Sequence, residues 1–575
     1  MNLGKDEIPE GFSEYSWTRL ADGFYSLTVP VMALPDLGGD ANVRYVEARR
    51  KMMPALGSSI GETRADEVHT PPAGNGFDGT GVIVGIIDYG LDFTLDDFRN
   101  ADGSTRVAFL WDQGLTAASG ESPPNGFSYG VEYDGASIDA ALATTDPFSS
   151  VRHQVGESDH GTHVAGIAAG NGRSGDADFP AGDFVGAAPG SRIIFVQPST
   201  TDQQTSFTDS VHVAEAIAYI FQKAADLGQP CVINMSLGQN GGSHDGESVV
   251  ERGVDRMLDV PGRLFVLAAG NEHIWRGHAS GTLQTGDTHS LQWKFGGELP
   301  LPGGGQLPPG FGDFTPNEME VWYSSRDQLR VRVIDPNGDA TSLVDPGDSV
   351  LETLPSGDEV FIDSERFTAL NGDAQIYIEV SPGNSQLIDT GTWQVELTSI
   401  ESIEGRFDAW IERDVRRPNN RFADQSFFVG ADFDGRMTLG TPATCRLGVA
   451  VANYNHSTQS PNDSSSRGPT RDGRRKPEIA APGTNILSSN SLGGRTDADG
   501  NTIPMRVSMS GTSMAAPHVT GIAALLLEVE ADLTASQLRA LLMAGATPVG
   551  GMVQPFDEAW GHGRVDAVRS RDLAQ

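Results

Sequence analysis

Short apolar runs alternate with amphipathic segments over much of the chain. The runs lie at residues 82–87, 193–196, 231–233, 264–268 and 447–451. Runs of this kind are typical of parallel strands that are buried on both faces. Helical periodicity lies between them and is clearest around residues 211–220. The alternation predicts an α/β fold with a doubly wound, mostly parallel sheet.

The pattern changes between about residues 277 and 430. A Gly- and Pro-rich passage at 296–312 leads into segments with period-two alternation, in which Leu329, Val331 and Val333 share one face. The alternation continues through residues 376–380 and 393–397. This pattern predicts an all-β insertion, a sandwich or jelly roll. Because the α/β pattern returns after about residue 440, the insertion interrupts one domain.

The charge balance limits the classes of partner. The chain has 40 Lys and Arg against 77 Asp and Glu, a net charge of −37. Such acidity repels phosphate backbones and anionic membrane surfaces, so we expect neither nucleic acid nor membrane partners. A solvated surface that maintains solubility explains the charge equally well. No apolar stretch reaches the length of a membrane span, and two cysteines are too few for a disulfide framework.

Three short motifs contain residues suited to nucleophilic catalysis. Asp88 follows the apolar run 82–87, where open α/β sheets build their sites. His160 opens a helical segment rich in small residues, and Ser513 precedes the helical run 523–527. A hydroxyl nucleophile needs a neutral imidazole as its base and a carboxylate that orients the imidazole. Taken singly, each residue is explained as well by a helix cap or a turn.

Together the three motifs identify the chain as similar to the subtilisin-type serine proteases, the subtilases of peptidase family S8. The resemblance covers roughly residues 76–275 and 440–570, and the order Asp, His, Ser is that of the family. It implies Ser513 as nucleophile, His160 as general base and then acid, and Asp88 as the group that orients His160. Asn271, in a segment resembling the family's oxyanion element, would hold the tetrahedral oxyanion with the Ser513 N–H.

Further segments resemble parts of the family fold. Ser236, Leu237 and Gly238 lie in a segment similar to the substrate-binding strand, whose backbone would pair with an extended peptide. Segments 464–469 and 477–483 resemble regions that support the fold. The neighbouring polar residues His163, His518 and Asp159 are interpreted as structural.

The resemblance also implies a division of the chain into four segments. Residues 1–65 form a propeptide-like segment and linker, because residues 45–47 resemble the end of a subtilase propeptide. Residues 66–276 and 431–575 are the two parts of the catalytic domain, and 277–430 are the β insertion, as in family members with a jelly roll in the catalytic domain. Cleavage of the chain by itself is expected between about residues 50 and 75.

Calcium is the cofactor that the resemblance raises. Asp97 occupies a position where several subtilases place a calcium ligand, and carboxylates suit this hard cation. The loop 171–178, however, is longer than the usual partner loop and does not match it, and a chance Asp explains the position as well. We therefore expect that no cofactor is required, with calcium at Asp97 as the candidate to test.

The expected function is that of a serine endopeptidase acting on protein or peptide substrates. One alternative is a pseudoprotease or scaffold that binds partners through the insertion. The other is a maturation protease dedicated to one partner protein. The first residues show no secretory signal, which favours the cytoplasm slightly over secretion, and the sequence indicates neither the oligomeric state nor the side-chain preference of the substrate pocket.

Overall fold

A computed structural model describes most of the chain as two compact units, Met1–Pro54 and Ala55–Gln575. The described residues are 57–69, 76–153, 155, 159–199, 209–297, 312–384, 387–413, 425–497, 500–550 and 556–575, with short strands and single residues elsewhere. The predicted cleavage region 50–75 lies outside the described residues except for 57–69, and of the propeptide-like residues 45–47 only Tyr45 is described.

The first unit contains a small antiparallel sheet with the order β2-β3-β1-β4. Its strands are β1 (Asn2–Leu3), β2 (Trp17–Ala21), β3 (Phe24–Leu27) and β4 (Val43–Tyr45). The second unit begins at Ala55 and includes helices α1 (Gly57–Thr63) and α2 (Ala65–His69). Ala65 and Val68 are fully buried in its core.

A mostly parallel sheet forms the centre of the second unit, as the apolar runs predict. Its order is β24-β23-β10-β9-β5-β8-β6-β7, with β25 beside β23. All residues of β5 and β9 are buried, so both faces of the sheet are covered. The strands are β5 (Ile83–Ile87), β6 (Val107–Asp112), β7 (Val131–Asp134), β8 (Arg192–Gln197), β9 (Cys231–Met235), β10 (Arg263–Ala268), β23 (Val449–Asn455), β24 (Ser460–Pro461) and β25 (Ile479–Pro482).

Helices pack against this sheet and continue its hydrophobic core. Two of them begin with a capping box, Ser248 with Glu251 and Thr534 with Gln537, which satisfies N–H groups of the first turn. The helices are α3 (Gly135–Leu142), α4 (His160–Ala169), α5 (Asp209–Asp226), α6 (Val249–Met257), α7 (Thr512–Val529), α8 (Ala535–Gly545) and α9 (Ala567–Ala574). Single-turn 3-10 helices lie at Asp96–Phe98, Pro147–Ser149 and His273–Trp275.

Helix α7 is long and apolar enough to cross a bilayer by length and composition, the one such helix among the described residues. Its most apolar window, however, is 83% buried inside the protein. We therefore interpret α7 as a core helix, and the residue at its second position, Ser513, lies at the edge of that core.

The β insertion forms two antiparallel sheets that pack around one core. One has the order β11-β21-β15-β19-β18-β17, and the other has β16-β20-β12-β22. Burial alternates along the strands, as the period-two pattern predicts: the core side of β19 is apolar, and its other side includes Tyr377 and Glu379. The insertion therefore has the two-sheet architecture of a β sandwich.

The strands of the insertion run from His278 to Val429. They are β11 (His278–Thr282), β12 (Thr288–Phe295), β13 (Leu299–Pro300), β14 (Gln306–Leu307), β15 (Asn317–Tyr323), β16 (Gln328–Ile334), β17 (Ser349–Thr353), β18 (Glu359–Glu365), β19 (Ala374–Ser381), β20 (Gly391–Glu401), β21 (Arg406–Ile411) and β22 (Phe427–Val429). The chain then returns to the central sheet and adds the hairpin β26 (Ile486–Ser489) and β27 (Arg506–Met509).

The outer face of the larger insertion sheet packs on the catalytic domain. Trp410 of β21 is buried there, and its indole N–H donates to the carbonyl of Met437 at 2.9 Å. Its ring stacks on His244 of the catalytic domain, with 4.1 Å between the ring centroids. The insertion is therefore joined to the catalytic domain through a packed aromatic contact as well as through the chain.

Candidate active site

Asp88 and His160 form a direct hydrogen bond at the carboxyl end of β5. Asp88 is fully buried, and its Oδ1 lies 2.6 Å from His160 Nδ1. The imidazole is the first side chain of α4 and is 30% exposed. When Nδ1 donates to the carboxylate, Nε2 is the unprotonated nitrogen, as a general base requires.

A network of buried polar groups holds the loop that carries Asp88. The N–H of Gly90 donates to Gln197 Oε1 at 2.9 Å, and the N–H of Leu91 donates to His153 Nε2 at 2.9 Å. His153 Nδ1 lies 2.8 Å from Asp112 Oδ2. Since Nε2 accepts from Leu91, Nδ1 carries the proton that is donated to Asp112. Sequence analysis missed these residues, because nothing in the local pattern links them to Asp88.

Ser513 lies next to the predicted substrate-binding segment. Its hydroxyl donates to the carbonyl of Ser236 at 3.4 Å, and the Ser236 hydroxyl donates to the carbonyl of Ser513 at 3.1 Å. Ser513 is 9% exposed. At the second position of α7, it lies in the first helical turn, whose N–H groups have no partner within the helix and whose dipole favours negative charge.

Helix α4, which begins with His160, packs closely on helix α7, which carries Ser513. A Cβ atom added at Gly521 of α7 would lie 2.7 Å from the carbonyl oxygen of Ala168 in α4, so only glycine allows this approach. The helices that carry His160 and Ser513 are therefore in direct contact.

Asn271 lies directly beside the start of α7. Its Oδ1 accepts hydrogen bonds from the N–H of Thr512 at 3.0 Å and from the Thr512 hydroxyl at 3.3 Å. The same hydroxyl accepts from the N–H of Gly270 at 3.2 Å. Because Oδ1 is held in this way, the amide orientation is set and Nδ2 remains as the donor end of the side chain. Thr512, which the sequence analysis did not single out, orients Asn271.

The segment of Ser236, Leu237 and Gly238 directly follows β9 and becomes more exposed along its length. Ser236 is buried, Leu237 is half-buried and Gly238 is exposed. The next residue, Gln239, pairs with Thr441 through two backbone hydrogen bonds of 3.1 and 2.8 Å. The segment is therefore anchored at both ends and open at Gly238, which suits backbone pairing with an extended peptide.

The structural interpretation of the neighbouring histidines agrees with their surroundings. His163 Nε2 lies 2.9 Å from the carbonyl of Ile486, and His518 Nδ1 lies 2.8 Å from the carbonyl of Met514. Burial lowers the pKa of His163 to about 3 and that of His518 to about 4, so both rings are neutral near pH 7. Asp159, by contrast, is exposed at the N-terminus of α4.

Asp97 does not fit a calcium site, because a guanidinium occupies its carboxylate. Asp97 is fully buried, and both of its oxygens contact Arg506, with 3.2 Å from Nη2 to Oδ1. The Ser489 hydroxyl donates to Oδ2 at 2.6 Å, and the N–H of Ser174 donates to Oδ1 at 3.0 Å. A calcium ion needs several oxygen ligands around a free carboxylate, whereas these partners are cationic or hydrogen-bond donors. Among the described residues, no cluster of three or more His, Cys, Asp or Glu side chains is placed to hold a metal.

Comparison with known proteins shows which proteins the chain resembles as a whole. The family model described as "Subtilase family" matches residues 79–295 and 368–563. The chain is 24% identical to the PI-type proteinase of Lactococcus lactis subsp. cremoris over 91% of its own length, but it spans only 26% of that protein. A shorter region, 19% of the chain, is 38% identical to the serine protease AprX of Bacillus subtilis and covers 26% of that relative.

A solved structure extends the likeness to the insertion. The CspB protease of Clostridium perfringens superimposes with a TM-score of 0.73 and 26% sequence identity, covering 90% of this chain and 97% of that one. The superposition therefore includes both the central α/β sheet and the region that interrupts it. Since the family model matches more than half of its residues, the chain belongs to the subtilase family.

Proposed function

We propose that this chain is a serine endopeptidase that hydrolyses protein or peptide substrates through an acyl-enzyme. Ser513 is the nucleophile, His160 the general base and then acid, and Asp88 the carboxylate that orients His160. The observation that most supports the proposal is the 2.6 Å hydrogen bond between His160 Nδ1 and buried Asp88 Oδ1. This hydrogen bond leaves Nε2 of His160 as the acceptor nitrogen. A histidine that served only as a helix cap would not need that arrangement.

In the first half of the proposed reaction, Ser513 Oγ attacks the carbonyl carbon while His160 Nε2 takes its proton. The negative charge that develops on the carbonyl oxygen is stabilised by Asn271 Nδ2 and the N–H of Ser513. Collapse of the tetrahedral intermediate breaks the peptide C–N bond, and His160 gives the proton to the leaving amine. In the second half, water repeats these steps on the ester and restores Ser513.

The substrate backbone is proposed to pair with the segment of Ser236, Leu237 and Gly238. Gly238 is exposed, and Ser236 contacts Ser513, so a strand bound here would present its carbonyl to the nucleophile. All proposed steps use protein groups and water, so the mechanism requires no cofactor.

The proposal is tested by labelling with a fluorophosphonate, which reacts with an activated serine. We expect label on Ser513 in the wild type and none in Ser513→Ala. Ser508→Ala, at an exposed position of the nearby strand β27, is the matched control and should label like the wild type. A folded wild-type protein that takes no label would favour the scaffold alternative.

Asn271→Ala tests the oxyanion role separately. We expect a fall in kcat of roughly 10²–10³-fold with little change in KM, the range found for such a donor in subtilisin. Cleavage of casein and of a degenerate peptide library distinguishes a broad endopeptidase from a maturation protease dedicated to one partner, which would cleave neither well.

A further inference from the structure

Strand β21 of the insertion ends between two segments of the candidate active site. Glu412 directly follows β21, and its carboxylate accepts hydrogen bonds from the backbone N–H groups of Asn240 and Gly241. These contacts are 2.9 and 2.7 Å long. Residues 240–242 form a turn that begins two residues after Gly238, and we call it the 240–242 turn. Glu412 therefore holds the end of the substrate-binding segment that Ser513 does not contact.

The next residue of the insertion contacts the other segment. The guanidinium of Arg413 lies 3.0 Å from Glu272 Oε2 and 4.3 Å from the centre of the Trp275 ring. Glu272 directly follows Asn271, and its N–H donates to the Ser466 hydroxyl at 3.0 Å. Two consecutive residues, Glu412 and Arg413, thus connect the substrate-binding segment to the segment that carries Asn271.

Further contacts from the insertion fix the same turn. Glu320 Oε2 accepts from the N–H of Gly242 at 3.1 Å and from the Trp322 indole at 2.7 Å. The side-chain amide of Asn240 donates to the carbonyl of Ile411 at 2.6 Å. Every backbone N–H of the 240–242 turn therefore donates to a carboxylate of the insertion.

The attachment of the insertion to the catalytic domain does not depend on these contacts alone. Trp410 is buried between the two, Arg471 Nη1 lies 2.7 Å from Asp373 Oδ2, and Asn371 donates to Asp245 at 2.7 Å. The carboxylates of Glu412 and Glu320 instead accept hydrogen bonds from the backbone of the 240–242 turn, which leads into the site. These two carboxylates therefore affect the geometry of the turn more directly than they affect the attachment of the insertion.

We propose that Glu412 and Arg413 are positioning residues through which the β insertion sets the spacing between the substrate-binding segment 236–238 and Asn271. Glu320 supports them by fixing the far side of the 240–242 turn. The inference rests on the proposed endopeptidase function, since it concerns the geometry of that same site. A misplacement of about 1 Å at a reacting centre can lower the rate about 10²-fold, so we expect this spacing to affect the rate of peptide hydrolysis.

The kinetic test separates the two positioning residues. Glu412→Gln places an NH2 group toward the backbone donors, so we expect KM for peptide substrates to rise about tenfold, with a broadened P1 preference and little change in kcat. Arg413→Met keeps the aliphatic stem but loses the contact with Glu272, so we expect kcat to fall about tenfold with KM retained. Rates are given per active site titrated by the fluorophosphonate, which removes any effect of partial unfolding.

Asp373→Asn is the matched control, because it weakens another polar contact of the insertion with the catalytic domain. It should lower thermal stability while leaving kcat, KM and P1 preference as in the wild type. If Glu412→Gln and Arg413→Met behave like this control, their role is only to attach the insertion and the proposal is wrong.

A second measurement does not need catalysis. In a Ser513→Ala background, we expect Glu412→Gln to speed amide hydrogen exchange in the peptide covering residues 236–242 by about tenfold, with no such change for Asp373→Asn. Unchanged exchange would overturn the proposal even if the enzyme is active. Conversely, an inactive and unlabelled wild type would refute the proposed function, while the exchange result would still decide the positioning role.

Discussion

At the residue scale, a buried arginine takes the place that the family resemblance suggests for calcium. Arg506 is 3% exposed and pairs with Asp97, which is fully buried. Arg506 Nη2 also donates to the carbonyl of Ser174 at 2.7 Å. The guanidinium joins the hairpin of β26 and β27 to the 3-10 helix Asp96–Phe98.

Removal of that guanidinium should be strongly destabilising. Arg506→Met leaves Asp97 as an uncompensated buried charge, so we expect a loss of about 3–5 kcal/mol in the free energy of unfolding. Arg495→Met, at an exposed position of the same region, is the control and should change it by less than about 0.5 kcal/mol. Denaturant unfolding measures both. EDTA should leave the wild-type Tm unchanged, and a fall in Tm with EDTA would point to a metal site.

Glu320 leads to a prediction of how the stability of the folded protein depends on pH. Burial, together with the charges of Glu412 and Glu318, raises the pKa of Glu320 from 4.5 to about 7, against the opposing hydrogen bonds from Trp322 and Gly242. The folded protein therefore holds this proton to a higher pH than the unfolded chain does. The resulting stabilisation is fully present below pH 4.5 and is lost as pH rises through about 7.

Glu320→Gln removes this titration while keeping the side-chain shape. The stability of the variant relative to the wild type should therefore increase by up to about 3 kcal/mol between pH 4.5 and pH 7. The measurement is urea unfolding at several pH values in that range. Glu404→Gln, in an exposed ion pair with Arg326, is the comparison, and a relative stability of Glu320→Gln that is constant with pH would contradict the assignment.

At the element scale, the close approach of α4 to the loop after β5 determines the geometry of the Asp88–His160 pair. A Cβ atom added at Gly161 would lie 2.8 Å from the carbonyl oxygen of Tyr89 and 2.9 Å from that of Gly90. The N–H of Gly161 donates to the same Tyr89 carbonyl at 2.8 Å. Any larger residue must move the helix away from the loop, and His160 moves with it.

Gly161→Ala should therefore lower both activity and stability. We expect kcat/KM to fall about 10²-fold as the 2.6 Å contact lengthens, with a stability loss of about 1–3 kcal/mol from overpacking. Gly253→Ala in α6, where an added Cβ meets nothing within 4 Å, should leave kcat/KM unchanged. Full activity in Gly161→Ala would show that the pair tolerates displacement of α4.

The elements and their order were largely predictable from the sequence, because hydrophobic periodicity is a local property. The run at 82–87 corresponds to β5, and the helical pattern at 211–220 lies within α5. Contacts between distant segments were not predictable from that pattern. Arg506 and Asp97 are 409 positions apart, and Glu412 is 172 positions from Asn240, so no local pattern in one sequence links them.

At the scale of the whole molecule, the first helices belong with the catalytic unit. Arg64 pairs with Asp566 at 3.1 Å, and Glu62 accepts from Arg564 at 2.7 Å. The side chain of His69 lies 2.9 Å from the carbonyl oxygen of Ala187. Loss of residues 57–69 would thus break polar contacts with α9 and its neighbours and would remove the buried side chains of Ala65 and Val68 from the core.

Self-cleavage that leaves a stable enzyme should therefore fall before Gly57, a narrower range than 50–75. N-terminal sequencing and intact mass of the wild type beside Ser513→Ala provide the measurement. We expect a new terminus only in the wild type, and upstream of α1. An active product that begins after Arg64 would contradict the structural role of these helices, and identical termini in both proteins would refute self-cleavage.

The chain enters and leaves the insertion at neighbouring points. The N–H of Phe428 donates to the carbonyl of Arg276 at 3.0 Å, and Arg276 Nε donates back to the carbonyl of Phe428 at 2.9 Å. Because the two ends of the insertion are adjacent, a different inserted domain could replace it without distorting the catalytic domain. Such a replacement would exchange Glu412 and Arg413, which belong to the insertion. It would leave Asp88, His160 and Ser513 unchanged, because they belong to the catalytic domain. Recombination at this one junction therefore offers a route to a new substrate preference on an unaltered catalytic framework.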